Sequence, residues 1–363
     1  MQIKADQLAT QLARGLKPLY MIHGDEPLLA QEAADAVRAA ARAAGCTERK
    51  VFVASGAHFD WGAVLGAAQS LSLFADKQLI EIRIPSGKPG KEGADALLRY
   101  GAHLAPDVTT LVQLPKLDFA QTKAAWFAAL DAAGITVRVE TLARPALPAW
   151  LAQRLSRQGQ HVQPGEAGRR TLDFFADRIE GNLLAAHQEI QKLALLHPGG
   201  ELSFEQLESA VLNVARYDVA QLADAIWGGQ VARTLRMLSG LRAEGEAAVR
   251  VHWALAEDIR TLARARSALD GGTPLPMALK EARAWGAKEK LFERVLPLLD
   301  GPRLAQLLAA GHVCDGIAKG LKHEQWPPEP WDALRRWVLM MMQAVPAAGT
   351  QGRRGGLPLV LQA

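Results

Sequence analysis

The stretch Leu19-Tyr20-Met21-Ile22-His23-Gly24-Asp25-Glu26-Pro27-Leu28-Leu29 decides the fold. Four β-prone apolar residues run into a glycine, and a helix-period segment from Leu28 to Ala44 follows almost at once. Asp25 is the expected N-cap, Pro27 fits the first turn, and Gly45 ends the helix. Working outward, further β-rich runs occur at Val51-Phe52-Val53, Leu79-Ile80-Glu81-Ile82, Thr109-Thr110-Leu111-Val112 and Ile135-Thr136-Val137-Arg138-Val139, with helical stretches between them. Strands that alternate with helices imply βαβ units around a mainly parallel sheet. The expectation for residues 1–143 is an α/β domain.

The same stretch bears on chemistry. In a nucleotide-binding α/β domain the phosphate loop lies between the first strand and its helix, where backbone amides and a lysine cradle phosphates. Here the junction offers one glycine, no lysine and two carboxylates, and Pro27 removes an amide. The fourth run, expected to supply a magnesium-holding acid, ends in Val112-Gln113-Leu114-Pro115-Lys116-Leu117-Asp118, with no acidic pair at its tip. Asp118 reads as the N-cap of the Phe119-Ala120 segment. Pro85-Ser86-Gly87-Lys88-Pro89-Gly90-Lys91-Glu92-Gly93 has glycines and lysines, but it lacks a hydroxyl residue after either lysine and follows the wrong strand. It reads as a solvated loop. His323-Glu324-Gln325 lacks the second histidine of a zinc-protease helix, and no Gly-x-Ser-x-Gly elbow occurs. The expectation is no catalytic residue, no cofactor and no metal.

Beyond Glu140 no strand run stands out. Arg144-Pro145-Ala146-Leu147-Pro148 reads as a linker. Helices are expected from about Pro148 to Gln158, from Glu166 to Ile179 and from Leu183 onward, with Gly181 closing one and Asn182 capping the next. Leu183, Ala186, Ile190 and Leu193 share one face of that third helix. Ser203 caps a fourth helix from Phe204 to Leu212. Residues 144–215 thus form a small all-α domain. Residues 216–345 form a larger one, punctuated by Gly228-Gly229, Gly245, Gly271-Gly272 and Trp326-Pro327-Pro328-Glu329-Pro330. Glycine-rich residues 346–363 read as a tail.

Composition narrows the function. In 363 residues the apolar share is 49%, normal for a folded chain, and the length suits two or three domains. No signal region opens the chain and no run is long and apolar enough for a membrane span. The two cysteines, Cys46 and Cys314, form no disulfide or zinc pattern. A cytoplasmic setting without membrane partners follows. The net charge of +4 permits transient nucleic-acid contact without demanding it.

One motif remains. Trp61, Leu65, Ala68 and Leu71 form a helical stripe that should face the sheet. If the helix continued, Leu73 and Phe74 would point away from that stripe into solvent, an anchor for a hydrophobic pocket on a partner. If it stopped near Ser70, the pair would fill the turn into Gln78-Leu79-Ile80. The run Gln69-Ser70-Leu71-Ser72-Leu73-Phe74-Ala75-Asp76-Lys77-Gln78 resembles the clamp-contacting segment of the delta subunit of the bacterial DNA polymerase III clamp loader. Gly24-Asp25-Glu26-Pro27-Leu28-Leu29, Lys116-Leu117-Asp118, Ala125-Trp126-Phe127 and Glu180-Gly181-Asn182-Leu183-Leu184 fall in the order of that family. The resemblance spans residues 10–215 and continues more weakly to about residue 340.

The resemblance implies an AAA+-like first domain that has lost ATP binding, followed by helical lid and collar domains. It implies a non-catalytic subunit of the polymerase III holoenzyme that binds the sliding clamp (the beta subunit) and opens it for loading onto primer–template DNA. Leu73 and Phe74 match the family's hydrophobic plug, with Leu71, Ser72 and Ala75 beside them. The implied partners are the ATP-hydrolysing gamma or tau subunits and the delta-prime subunit. Leu155-Ser156-Arg157-Gln158 departs from the Ser-Arg-Cys motif of neighbouring loader subunits, so no arginine finger is expected. From the residues alone, Arg283, Trp285, Lys288 and Lys290 interleave an aromatic ring with cations, suited to stacking on a base beside phosphates; an ordinary helix boundary with Trp285 partly buried is the other reading. A divergent ATPase of the same fold and a replication or repair adaptor are the alternative functions.

Overall fold

The first residues already belong to the sheet: β1 (Gln2–Lys4) buries Ile3 and pairs in parallel with the last strand of the first domain. A computed structural model describes residues 1–56, 58–69, 77–211 and 214–345. Among these, the chain continues through α1 (Leu8–Ala13), β2 (Leu19–Gly24), α2 (Pro27–Ala43), β3 (Cys46–Val53), α3 (Trp61–Gln69), β4 (Lys77–Arg83), α4 (Gly90–Ala102), β5 (Val108–Leu114), α5 (Phe119–Thr122), α6 (Ala125–Ala133) and β6 (Ile135–Val139). The sheet order is β1-β6-β2-β5-β4-β3, and every described pairing is parallel. The central strands carry unbroken apolar runs because helices cover both of their faces. On one face α2 packs Ala33, Ala34, Val37 and Ala41 against Tyr20, Ile22, Leu111 and Val137. On the other, Trp61 and Val64 of α3, Leu97 and Tyr100 of α4, and Trp126, Phe127 and Leu130 of α6 cover Met21, Ile80, Ile82 and Val112.

The α/β reading of this region therefore holds, with β1 as an addition. Its three residues bury a single side chain, too little to leave a periodic signal.

The helical reading beyond Glu140 also holds: α7 (Leu147–Arg157), α8 (Glu166–Ile179), α9 (Leu183–Leu196) and α10 (Phe204–Ala210) follow. Two strands that the sequence did not announce, β7 (Gln160–Val162) and β8 (Gly200–Leu202), pair in parallel beside them. Each is three residues long and directly follows or begins with a glycine at positive φ. Gly181 takes φ 76° and Asn182 caps α9 through the Ala185 amide, as expected. Leu183, Ala186, Ile190 and Leu193 are buried with Leu151, Leu155 and Phe175 in one core, which Leu28 of α2 joins. Arg154 of α7 forms a two-pronged ion pair with Glu32 of α2.

By contact density the chain forms two units, Met1–Val214 and Ala215–Ala363. The second contains α11 (Val219–Trp227), α12 (Val231–Ala243), α13 (Ala248–Asp270), α14 (Leu275–Glu281), α15 (Ala287–Val295), α16 (Gly301–Ala318) and α17 (Pro330–Gln343). Its core gathers Trp227, Leu255, Ile259, Phe292, Leu307, Trp337 and Met341. Residues 346–363, read from sequence as a tail, lie outside the described residues.

Candidate functional site

The junction after β2 is held shut by packing and charge. Asp25 was the expected cap of α2, but Glu26 holds that position: its carboxylate accepts from the Leu28 amide at 3.4 Å. Asp25 is engaged elsewhere, accepting from Lys116 Nζ at 2.6 Å. Burial pushes the Glu26 carboxyl above its ordinary range; the Leu28 amide opposes that shift and the charge of Asp25 adds to it. The lone glycine is set by its neighbour strand. A β-carbon on Gly24 would lie 1.9 Å from the Val139 carbonyl oxygen of β6, so the residue permits close strand approach rather than close approach of a phosphate.

Beside this junction a cleft of about 600 Å³ opens at the C-terminal ends of β2 and β6, bordered by His23, Asp25, Lys116, Phe119 and Arg138. In doubly wound sheets this is where ligands bind. Of its three cations, Lys116 is partnered by Asp25 and Arg138 by Glu140 at 2.7 Å, while Lys123 lies exposed over the Phe119 ring. Burial, reinforced by the charge of Arg138, pushes His23 below the ordinary histidine range, and its ring meets Phe127 edge-on. Two of the three cations are engaged by carboxylates of the same cleft. Asp118 forms a reciprocal capping box with Gln121 at 2.8 and 2.9 Å, the helix-capping role read from sequence.

The glycine- and lysine-containing segment after β4 is a turn into α4. The Lys88 amide donates to the Ser86 hydroxyl at 3.1 Å, and the Gly87 carbonyl accepts from Gln121 Nε2 at 3.0 Å. Among the described residues no His, Cys, Asp or Glu group is arranged to hold a metal. Nor is any helix there long and apolar enough to cross a membrane.

Leu71, Ser72, Leu73, Phe74 and Ala75 lie outside the described residues, in the connection between α3 and β4. Of the expected stripe, Trp61 and Ala68 are buried and Leu65 is partly buried against the same core, which Val64 also joins; Leu71 lies outside the described residues.

In the second unit, Arg283 and Trp285 occupy the turn between α14 and α15, and Lys288 and Lys290 lie on α15. Trp285 is 60% exposed, which corrects the partly buried alternative. The reason is local: the turn exists to end α14, and it carries the indole outward. The Ala284 amide reaches back to the Leu279 carbonyl and the Arg283 amide to that of Lys280, a Schellman closure. Arg283 sits in its left-handed position at φ 64°, where glycine is usual. Lys288 is paired with buried Asp258, which also accepts from Trp227 Nε1 at 3.2 Å. Lys290 is exposed beside Arg294. Of the four, Lys288 is therefore committed to the core of its own unit. Neither this pair nor that of Asp25 with Lys116, 91 residues apart, has a local sequence signal.

A parallel, doubly wound domain followed by helices is an AAA+-like architecture, here with carboxylates at the phosphate-loop position. A family model for the DNA polymerase III delta subunit matches residues 20–140. The DNA polymerase III subunit delta of Escherichia coli strain K12 is 32% identical over 301 residues, 83% of this chain and 86% of that one. The Haemophilus influenzae subunit delta is 29% identical over 251 residues, 67% of this chain and 70% of that one. The DNA clamp loader delta protein of Bacillus subtilis has a similar structure, with a TM-score of 0.48 at 16% identity over 93% of this chain and 99% of that one. The chain belongs to the family of the DNA polymerase III clamp loader delta subunit, a replication protein.

Proposed function

We propose that this chain is a non-catalytic clamp-opening subunit, which binds the sliding clamp through Leu73 and Phe74 and favours an open interface for loading onto primed DNA. Family membership supports the role, and one observation carries the non-catalytic part of it. At the β2–α2 junction, Lys116 is spent on Asp25 while Glu26 caps the helix, so two carboxylates and no free lysine stand at the phosphate-loop position. The ATP-hydrolysing gamma or tau subunits, the delta-prime subunit, the beta clamp and primer–template DNA are the partners under this reading, within a lid-and-collar division at residues 144–215 and 216–345.

Opening a ring in this way needs no bond chemistry. A ligand shifts an equilibrium only by its differential affinity for the two states, so the plug must fit the open clamp better than the closed one. Two adjacent apolar anchors in a partner pocket supply that difference by burial. Leu73→Ala combined with Phe74→Ala is expected to weaken binding to purified clamp by roughly a hundredfold or more, with an unchanged circular dichroism melt. Unaltered clamp affinity would remove the plug from this reading. Titration calorimetry with ATP separates the divergent-ATPase alternative, since micromolar binding would overturn the non-catalytic assignment.

A further inference from the structure

The face of the sheet that carries α2 is only partly covered, and its uncovered margin is not ordinary surface. On β4, Glu81 is fully buried yet receives three guanidinium groups. Arg38 of α2 donates through Nε at 2.7 Å, Arg49 of β3 through Nε at 2.6 Å, and Arg83 through Nη2 at 3.1 Å. Arg38 also reaches Asp35 at 2.6 Å and Gln113 at 3.3 Å. Three cations thus face two carboxylates. Burial pushes the Glu81 carboxyl up, and the hydrogen bonds from Arg38 and Arg49 overcome this to hold it at about 2; the carboxylate stays charged and cannot relieve the imbalance. Arg83 gives Glu81 one hydrogen bond, through Nη2, while its side chain stays 40% exposed.

Arg38 and Arg83 line a cleft of about 510 Å³ between α2 and the C-terminal ends of β4 and β5, with Gln113 beside them and Pro27, Pro85 and Pro115 among its apolar walls. Next to it the edge strand β3 presents Val51 and Val53, 42% and 44% exposed, in register with Glu81 and Arg83. The pattern is a guanidinium fork with an excess single positive charge, set in an apolar frame. We propose that this cleft is a docking site for an acidic segment of a protein partner, with one Asp or Glu carboxylate on Arg83 and neighbouring apolar side chains on Pro27, Pro115 and the Val51–Val53 strip. The excess charge matches one carboxylate, and planar carboxylates fit guanidinium forks. A nucleic-acid backbone would satisfy the charge but would leave the apolar walls against hydrated sugar and phosphate. None of these residues belongs to the Leu73–Phe74 segment, so the site stands whether or not the plug assignment does.

The test places a photo-cross-linker at the rim, Gln31→p-benzoylphenylalanine in the full chain, in cells where it replaces the native copy. After illumination the attached partner is sequenced by mass spectrometry. The expected result is a peptide carrying Asp or Glu beside apolar residues. Its yield should fall about tenfold with Arg83→Glu and recover when the partner's acid is changed to Arg. Arg83→Gln, which leaves Glu81 paired with Arg38 and Arg49, should show the same fall without a change in the melting curve. Recovery by charge exchange separates a lost contact from a lost fold. Cross-linking to nucleic acid, to a second copy of this chain, or to a peptide without acidic residues would overturn the proposal. So would no cross-link, or a yield indifferent to Arg83.

Discussion

A β-carbon at position 24 would sit 1.9 Å from the Val139 carbonyl oxygen, so Gly24→Ala must force β2 and β6 apart in the middle of the sheet. Overpacking of this kind costs about 1–3 kcal/mol and sometimes more. Gly66 is the natural contrast: it lies on the exposed side of α3, and an added β-carbon there would meet nothing within 4 Å. Gly66→Ala should therefore stabilise the fold by roughly 0.5–1 kcal/mol through helix propensity and a less disordered unfolded chain. Urea denaturation of the two variants checks both signs. A loss of less than ~0.5 kcal/mol for Gly24→Ala would show that the strands can give way. It would also reopen the question of why the junction keeps a glycine. The same scale explains the misplaced cap. Asp25 and Glu26 are adjacent carboxylates, and only the distant Lys116 decides which one is free to turn toward the helix.

The turn between α14 and α15 puts residues of different roles side by side. Trp285 faces solvent, whereas Lys288 is the cation that accompanies buried Asp258. Burial pushes the Asp258 carboxyl up, and the pairing with Lys288 opposes it. Removing Lys288 therefore leaves a poorly solvated acid, and Lys288→Ala should destabilise the second unit by about 1–3 kcal/mol. Trp285→Ala should leave stability nearly unchanged. If the turn meets primer–template DNA, Trp285→Ala should also weaken DNA binding by about 1–3 kcal/mol through lost stacking. Thermal melts and fluorescence anisotropy on both variants separate the roles, and weaker DNA binding by a fully stable Lys288→Ala would contradict this division. The turn also shows what a sequence can convey. Its aromatic–basic spacing is local and legible, as are the caps at Asn182 and Ser203. The partner of Lys288 lies 30 residues away on α13 and has no local signature. Strands β1, β7 and β8 were missed for a related reason: pairing with distant segments, rather than their own periodicity, makes them strands.

At the scale of the whole molecule, the two units carry titratable groups that lose their contribution in different windows as pH falls. In the first, Glu81 is charged when folded and held at about 2 against an ordinary 4.5, so its contribution is complete above 4.5 and is lost only as pH falls from there toward 2. In the second, His252 is buried, stacked on Trp337 at 4.8 Å between ring centres, and bonded through Nε2 to the Gly311 carbonyl at 2.8 Å. Burial pushes it below its ordinary 6.5, and the charges of Arg260 and Lys319 add to that effect against the pull of the Gly311 carbonyl and Asp315. The unfolded chain thus takes up a proton near 6.5 and the folded unit only at lower pH. The second unit is at full stability above that value and weakens as pH drops below it. The expected outcome is unequal softening between pH 7.5 and 5.5. Because His23 on β2 is shifted in the same direction, the comparison is made in a His23→Gln background, where hydrogen exchange, corrected for intrinsic rates, should rise in α13, α16 and α17 while the β2, β4 and β5 amides stay protected. His252→Gln keeps a donor for Gly311 and cannot take up the proton, so it should abolish the difference. Equal softening of both units, or a response that survives His252→Gln, would place the acid sensitivity elsewhere than at this stacked histidine.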